Sequence, residues 1–117
     1  MKRAGCAAAL LCLSAALILA RLGHYALWDD EAGTALTAQG VLATGDTSAR
    51  IGHNIFAYAD GAELENLHLR YMPPLQAYMA APFLAAFGRS SAGAARLPFA
   101  LSALAAVLLM LRWLWRT

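Results

Sequence analysis

Two uncharged apolar runs flanking an acidic middle limit what this chain can fold into. Ala4 to Ala20 contains nothing more polar than Ser14 and two cysteines, and Leu97 to Leu111 is likewise uncharged. Seventeen residues of helix extend about 25 Å, close to the roughly 30 Å hydrocarbon core of a bilayer. Trp113, Leu114 and Trp115 lengthen the second run beyond Arg112. The expected fold is therefore an all-α membrane protein. It has two transmembrane helices, at about 4–21 and 96–115, joined by an outer loop over about 22–95. Arg21, Arg96 and Arg112 border the spans and reach headgroups by snorkelling.

Charge sets the expected orientation. All 7 acidic residues lie between the runs, whereas Lys2, Arg3, Arg112 and Arg116 mark the two tails. Basic tails favour the cytoplasmic side, so both termini are expected inside and the loop extracytoplasmic, in a multi-pass inner-membrane protein. Met1-Lys-Arg before an apolar stretch also describes an export signal. No clean small-x-small site follows it, and His24-Tyr25-Ala26 is poor, so an uncleaved anchor is the preferred reading. Ala8, Cys12, Ala16 and Ala20, and later Ser102 and Ala106, repeat every fourth residue and suggest close helix contact. Cys6 and Cys12 lie within the first run, which leaves the loop without a disulfide.

Within the loop, Ala32, Ala35, Leu36, Ala38 and Leu42 follow a helical period, predicting a helix at about 30–44. Asp29 or Asp30 is placed to cap it and Gly45 to end it. Residues 46–70 lack a period and read as irregular, with one short turn around Ala62 to Leu67. Pro73 and Pro74 open a second loop helix, about 73–87, which Pro82 should kink or shorten and Gly88 should end. Gln76 is its only strongly polar side chain. Both are read as amphipathic juxtamembrane helices, the second with its apolar side in lipid or protein. Scattered basic residues and the lack of a phosphate-binding glycine loop argue against nucleic-acid binding.

The acids Asp29-Asp30-Glu31 are the main candidates for chemistry. Carboxylates at a helix start stabilise its free amides and dipole, which accounts for them without any catalytic role. Dipole and desolvation push a carboxylate pKa in opposite directions, so the sequence leaves both roles open. His24, His53 and His68 match no metal-ligand spacing and read as ordinary loop histidines.

Five segments in register resemble a known family: Trp28-Asp-Asp-Glu-Ala32, Val41-Leu-Ala-Thr-Gly45, Met72-Pro-Pro-Leu75, Phe87-Gly88 and Ala95-Arg-Leu-Pro98. Over about residues 20–112 they resemble the N-terminal part of a GT-C type polyprenyl-phosphate-sugar-dependent glycosyltransferase. This is the family of protein mannosyltransferases and lipid A aminoarabinose transferases. The resemblance implies catalytic carboxylates at Asp30 and Glu31 in the first outer loop. It also implies transfer of a sugar from a polyprenyl-phosphate donor to an acceptor hydroxyl at the extracytoplasmic face. A carboxylate takes the acceptor proton, and positive charge steadies the departing phosphate. Arg70 and Arg96, or a divalent cation, are the candidates for that charge. Family members are several times longer, so the chain is expected to act with further transmembrane helices, of the same enzyme or a split partner, and to be inactive alone. The alternatives are a small two-span membrane scaffold and an exported protein with a cleaved signal peptide.

Overall fold

The computed structural model describes residues 2–57, 59–62, 64–69 and 72–116. Four α-helices carry the fold: α1 Lys2–Leu19, α2 Asp29–Thr44, α3 Leu75–Phe87 and α4 Ala92–Arg116. One of them, α4, is long and apolar enough to cross a membrane; the apolar part of α1, Gly5–Leu19, is shorter.

Helices α1 and α4 form an antiparallel hairpin. Gly23, just beyond α1, lies against Gly93 in the first turn of α4, where a Cβ on Gly23 would come within 3.3 Å of the Gly93 nitrogen. At the other end Ala7, Ala8 and Leu11 face Leu108, Leu111 and Trp115 across a groove. The covered stripe on α1 runs through Ala7, Leu11, Ser14 and Ile18, and that on α4 through Leu97, Ala100, Leu104, Val107 and Leu111. Steps of three and four residues are the spacing of a coiled-coil seam. The small-residue face expected on α1 is not this seam: Ala8, Cys12, Ala16 and Ala20 are all exposed.

The core is built from alanine. Ala35 and Ala38 of α2, Ala77, Ala80, Ala81 and Leu84 of α3, and Ala94 and Ala95 of α4 form one buried cluster. Side chains this short let three helix backbones approach closely, as small residues do in membrane helix pairs. The Tyr78 hydroxyl donates to the Gly45 carbonyl at 3.2 Å, and the Gln39 amide to the Arg89 carbonyl at 3.2 Å. Gly40 is needed for a related reason, since a Cβ there would overlap the Ser48 carbonyl.

Several local expectations need correction. Asp29 begins α2, so it and Asp30 lie inside the first turn, with Trp28 as the N-cap residue. The longer Glu31 side chain reaches back instead and accepts the Trp28 N–H at 2.9 Å. Pro82 does not break α3, which runs unbroken from Leu75 to Phe87. Helix α4 starts before Arg96, where a second span was expected to begin, because Ser91 caps it: its hydroxyl accepts the Ala94 N–H at 3.2 Å. Pro98 therefore falls inside α4. The described residues between 46 and 69 hold more regular structure than an irregular loop. Two antiparallel hairpins pair β1 (Arg50–Ile51) with β2 (Asn54–Ile55) and β3 (Leu64–Glu65) with β4 (His68–Leu69). The first turns at Gly52-His53, with Gly52 at φ 61°, and the second at Asn66-Leu67, at φ 52° and 65°. These positive values are what two-residue hairpin loops require. The short turn placed around Ala62 to Leu67 is thus the second hairpin, preceded by a 3₁₀ turn at Ala59–Gly61.

Candidate functional site: a carboxylate cleft at the start of α2

An open cleft of about 280 Å³ lies where the first turns of α2, α3 and α4 meet. It is lined by Leu27, Asp30, Glu31, Thr34, Gln76, Ala95, Arg96 and Phe99. Two of the five resembling segments, Trp28–Ala32 and Ala95–Pro98, thus line one cleft, although about 65 residues separate Glu31 from Arg96. Met72, Pro73 and Pro74 border a tighter crevice that shares Thr34 and Gln76 with the cleft. Between the two, the Thr34 hydroxyl donates to the Gln76 side-chain oxygen at 3.4 Å.

Glu31 and Arg96 form one wall of the cleft as a two-pronged ion pair. The Arg96 Nε donates to Glu31 Oε1 at 3.0 Å and Nη2 to Oε2 at 2.6 Å. The other three N–H groups of the guanidinium bond the chain leaving α1. Nη1 reaches the carbonyls of Leu22 at 2.9 Å and Tyr25 at 3.0 Å, and Nη2 reaches that of Ala26 at 2.9 Å. A guanidinium has five N–H donors, and all five are engaged. Arg96 therefore ties three parts of the chain together: the 22–26 segment, the start of α2 and the first turns of α4. The contact of Gly23 with Gly93, one turn earlier on α4, brings those carbonyls within reach.

This arrangement perturbs Glu31. The hydrogen bonds from Arg96, and then the Trp28 amide, hold its carboxyl below the usual value of 4.5, against a smaller opposing effect of burial. A carboxylate held down in this way is a weak base. Asp30 differs. It faces the cleft with no hydrogen-bond or ion-pair partner among the described residues. Asp29 does not line the cleft.

The structure thus brings together three of the four site residues expected from the sequence, Asp30, Glu31 and Arg96. Arg70 lies outside the described residues. Reading the sequence missed Thr34 and Gln76 as cleft residues. An isolated glutamine on an otherwise apolar helix is a signal for Gln76, since such a side chain normally seeks a partner.

Among the described residues no group of three or more His, Cys, Asp or Glu gathers in one place. In the cleft, Asp30 is the one carboxylate whose oxygens are not already held, and Thr34 and Gln76 supply only neutral oxygens. These residues fall short of the six or more oxygen ligands that calcium or magnesium requires unless substrate or water provides the rest. The remaining histidine–acid approach is on the hairpin side: His68 Nδ1 lies 3.6 Å from Asp46 Oδ2. Comparison of the chain with family models, with curated proteins and with solved structures gave no match in any of the three.

Proposed function

We propose that this chain forms the first two spans and first outer loop of a membrane glycosyltransferase that uses a polyprenyl-phosphate sugar. On this reading α1 and α4 both cross the inner membrane, the termini are cytoplasmic, and the cleft opens at the extracytoplasmic face. The observation that carries the proposal is the meeting of Trp28–Ala32 and Ala95–Pro98 around one cleft, next to the crevice bordered by Met72–Pro74, with a carboxylate, Asp30, that has no partner among the described residues.

The chemistry assigned to the cleft is limited to what these residues can do. Asp30 takes the proton from the acceptor hydroxyl as its oxygen attacks the anomeric carbon of the donor sugar. The bond from that carbon to the phosphate oxygen breaks, and its electron pair leaves with the polyprenyl phosphate. Leu27, Ala95 and Phe99 give the cleft an apolar wall suited to a lipid-linked donor. Glu31 and Arg96 act as positioning residues that fix Asp30 on the first turn of α2. In this scheme the phosphate is met by Arg70 or by cations from other helices, because binding at Arg96 would displace an existing acceptor.

A second reading, a two-span scaffold, is favoured by one observation: the Glu31–Arg96 pair is fully accounted for as a structural clamp. The readings separate on sugar transfer from a labelled polyprenyl-phosphate donor in membranes expressing the chain from its own locus. Transfer that is lost in Asp30→Asn supports the enzyme. Full transfer by Asp30→Asn removes the catalytic assignment.

A further inference from the structure

A second cavity, away from the cleft, opens between the far ends of α1 and α4. This groove, about 440 Å³, is lined by Ala7, Ala8, Leu11, Leu108, Leu109, Leu111, Arg112 and Trp115. It falls in the size range of small-molecule sites, roughly 300–1,000 Å³. Among the described residues that line it, Arg112 is the only charged one. We propose that it is a binding site for an anionic phospholipid, with one acyl chain lying along the groove and the phosphate at Arg112. The inference rests on the hairpin lying in a bilayer, and is independent of any catalysis at Asp30.

Charge complementarity identifies the occupant. Neither α1 nor α4 contains an acidic residue, while Lys2 and Arg3 open α1 and Arg112 and Arg116 close α4. The antiparallel hairpin puts all four at the same end. No carboxylate among the described residues pairs with Arg112. An apolar groove that ends in an unpaired guanidinium matches a lipid tail joined to a phosphate, which a guanidinium can bind bidentately. Trp115, 55% exposed, sits beside it. Indole rings favour that headgroup depth. A packing helix would fill the groove but leave Arg112 without an anion, so lipid is the better match.

The test uses the full chain in vesicles, with Trp28→Phe and Trp113→Phe so that Trp115 is the only tryptophan. Acyl-brominated phosphatidylglycerol and phosphatidylcholine are compared as quenchers. One arginine near a membrane surface corresponds to about a fivefold preference for anionic lipid, and that preference is expected at Trp115. Arg112→Gln should bring the two lipids to parity, while Arg112→Lys and Arg116→Gln should keep most of the preference. Ala8→Leu, which fills the groove at an exposed position, should lower quenching by both lipids. Parity in the parent chain overturns the proposal, as does equal loss in the Arg112 and Arg116 glutamine variants, which means diffuse surface charge. Unquenched Trp115 overturns it too, because a helix or second copy then covers the groove. So does quenching unchanged by Ala8→Leu, because the acyl chain then lies elsewhere.

Discussion

Replacing Arg96 with methionine keeps an apolar stem about as long as arginine's methylenes and removes all five of its hydrogen bonds. The two bonds to Glu31 are charge-assisted, a class worth about 1.5–3 kcal/mol when shielded from water. Glu31 is 41% exposed and Arg96 19%, so solvent reduces the pair to about 1 kcal/mol. Each carbonyl of Leu22, Tyr25 and Ala26 loses a donor, at a few tenths to about 1 kcal/mol. The predicted loss for Arg96→Met is therefore about 2–4 kcal/mol, concentrated where the 22–26 segment docks on α4. Thermal unfolding in detergent, followed by circular dichroism, measures the total. Glu31→Gln and the double variant complete a cycle whose coupling energy should be about 1 kcal/mol. A coupling near zero, with Arg96→Met as stable as the parent, would refute the clamp. Hydrogen exchange at residues 22–28 should rise in Arg96→Met before exchange in α3 does, because α3 makes none of these contacts.

Three further outcomes follow from the same geometry. Because the folded-state pKa of Glu31 is depressed, its stabilising contribution is complete above the ordinary value of 4.5 and is lost as pH falls toward the folded value. Melting temperature should accordingly drop below about pH 4.5 in the parent chain, and Glu31→Gln should remove part of that drop; identical acid limbs contradict it. Gly40→Ala should destabilise by about 1–3 kcal/mol despite better helix propensity, because its methyl group meets the Ser48 carbonyl; an unchanged melt would show that the hairpin segment can move aside. For topology, His53→Cys in a background lacking Cys6 and Cys12 should react with a membrane-impermeant maleimide in intact cells. Labelling only after permeabilisation would reverse the orientation.

Much of the helical layout is legible in the sequence because its punctuation is local. Gly45 ends α2 at φ 83° and Gly88 ends α3 at φ 112°, and both bond back to the helix they close. The start of α4 is less legible: Arg96 and Pro98 resemble a border, whereas the actual cap is Ser91, a residue type common at caps and in turns alike. The hairpins leave little signal in the sequence, because strands of two residues are too short to show alternation and Leu67 is an unusual residue for a positive φ. The site was legible as residue types but not as partners. Glu31 and Arg96 both stood out, one as a base and the other as a phosphate ligand. That they bind each other depends on the packing of α2 against α4, for which the sequence carries no local signal. Thr34 and Gln76 are hidden for the same reason, since their shared cleft exists only once α2 and α3 meet.

On the proposed function, two adjacent carboxylates divide the roles: Asp30 takes the acceptor's proton and Glu31 holds the clamp to Arg96. Turnover of sugar transfer in Asp30→Asn and Glu31→Gln, measured side by side on membranes with equal amounts of folded protein, tests this directly. Loss of a general base predicts a fall of about 10²–10⁴-fold for Asp30→Asn, with its melting temperature near that of the parent. Glu31→Gln should lose stability and retain most of its turnover at temperatures where it stays folded. The reverse pattern, a folded but inactive Glu31→Gln beside a fully active Asp30→Asn, would contradict the assignment.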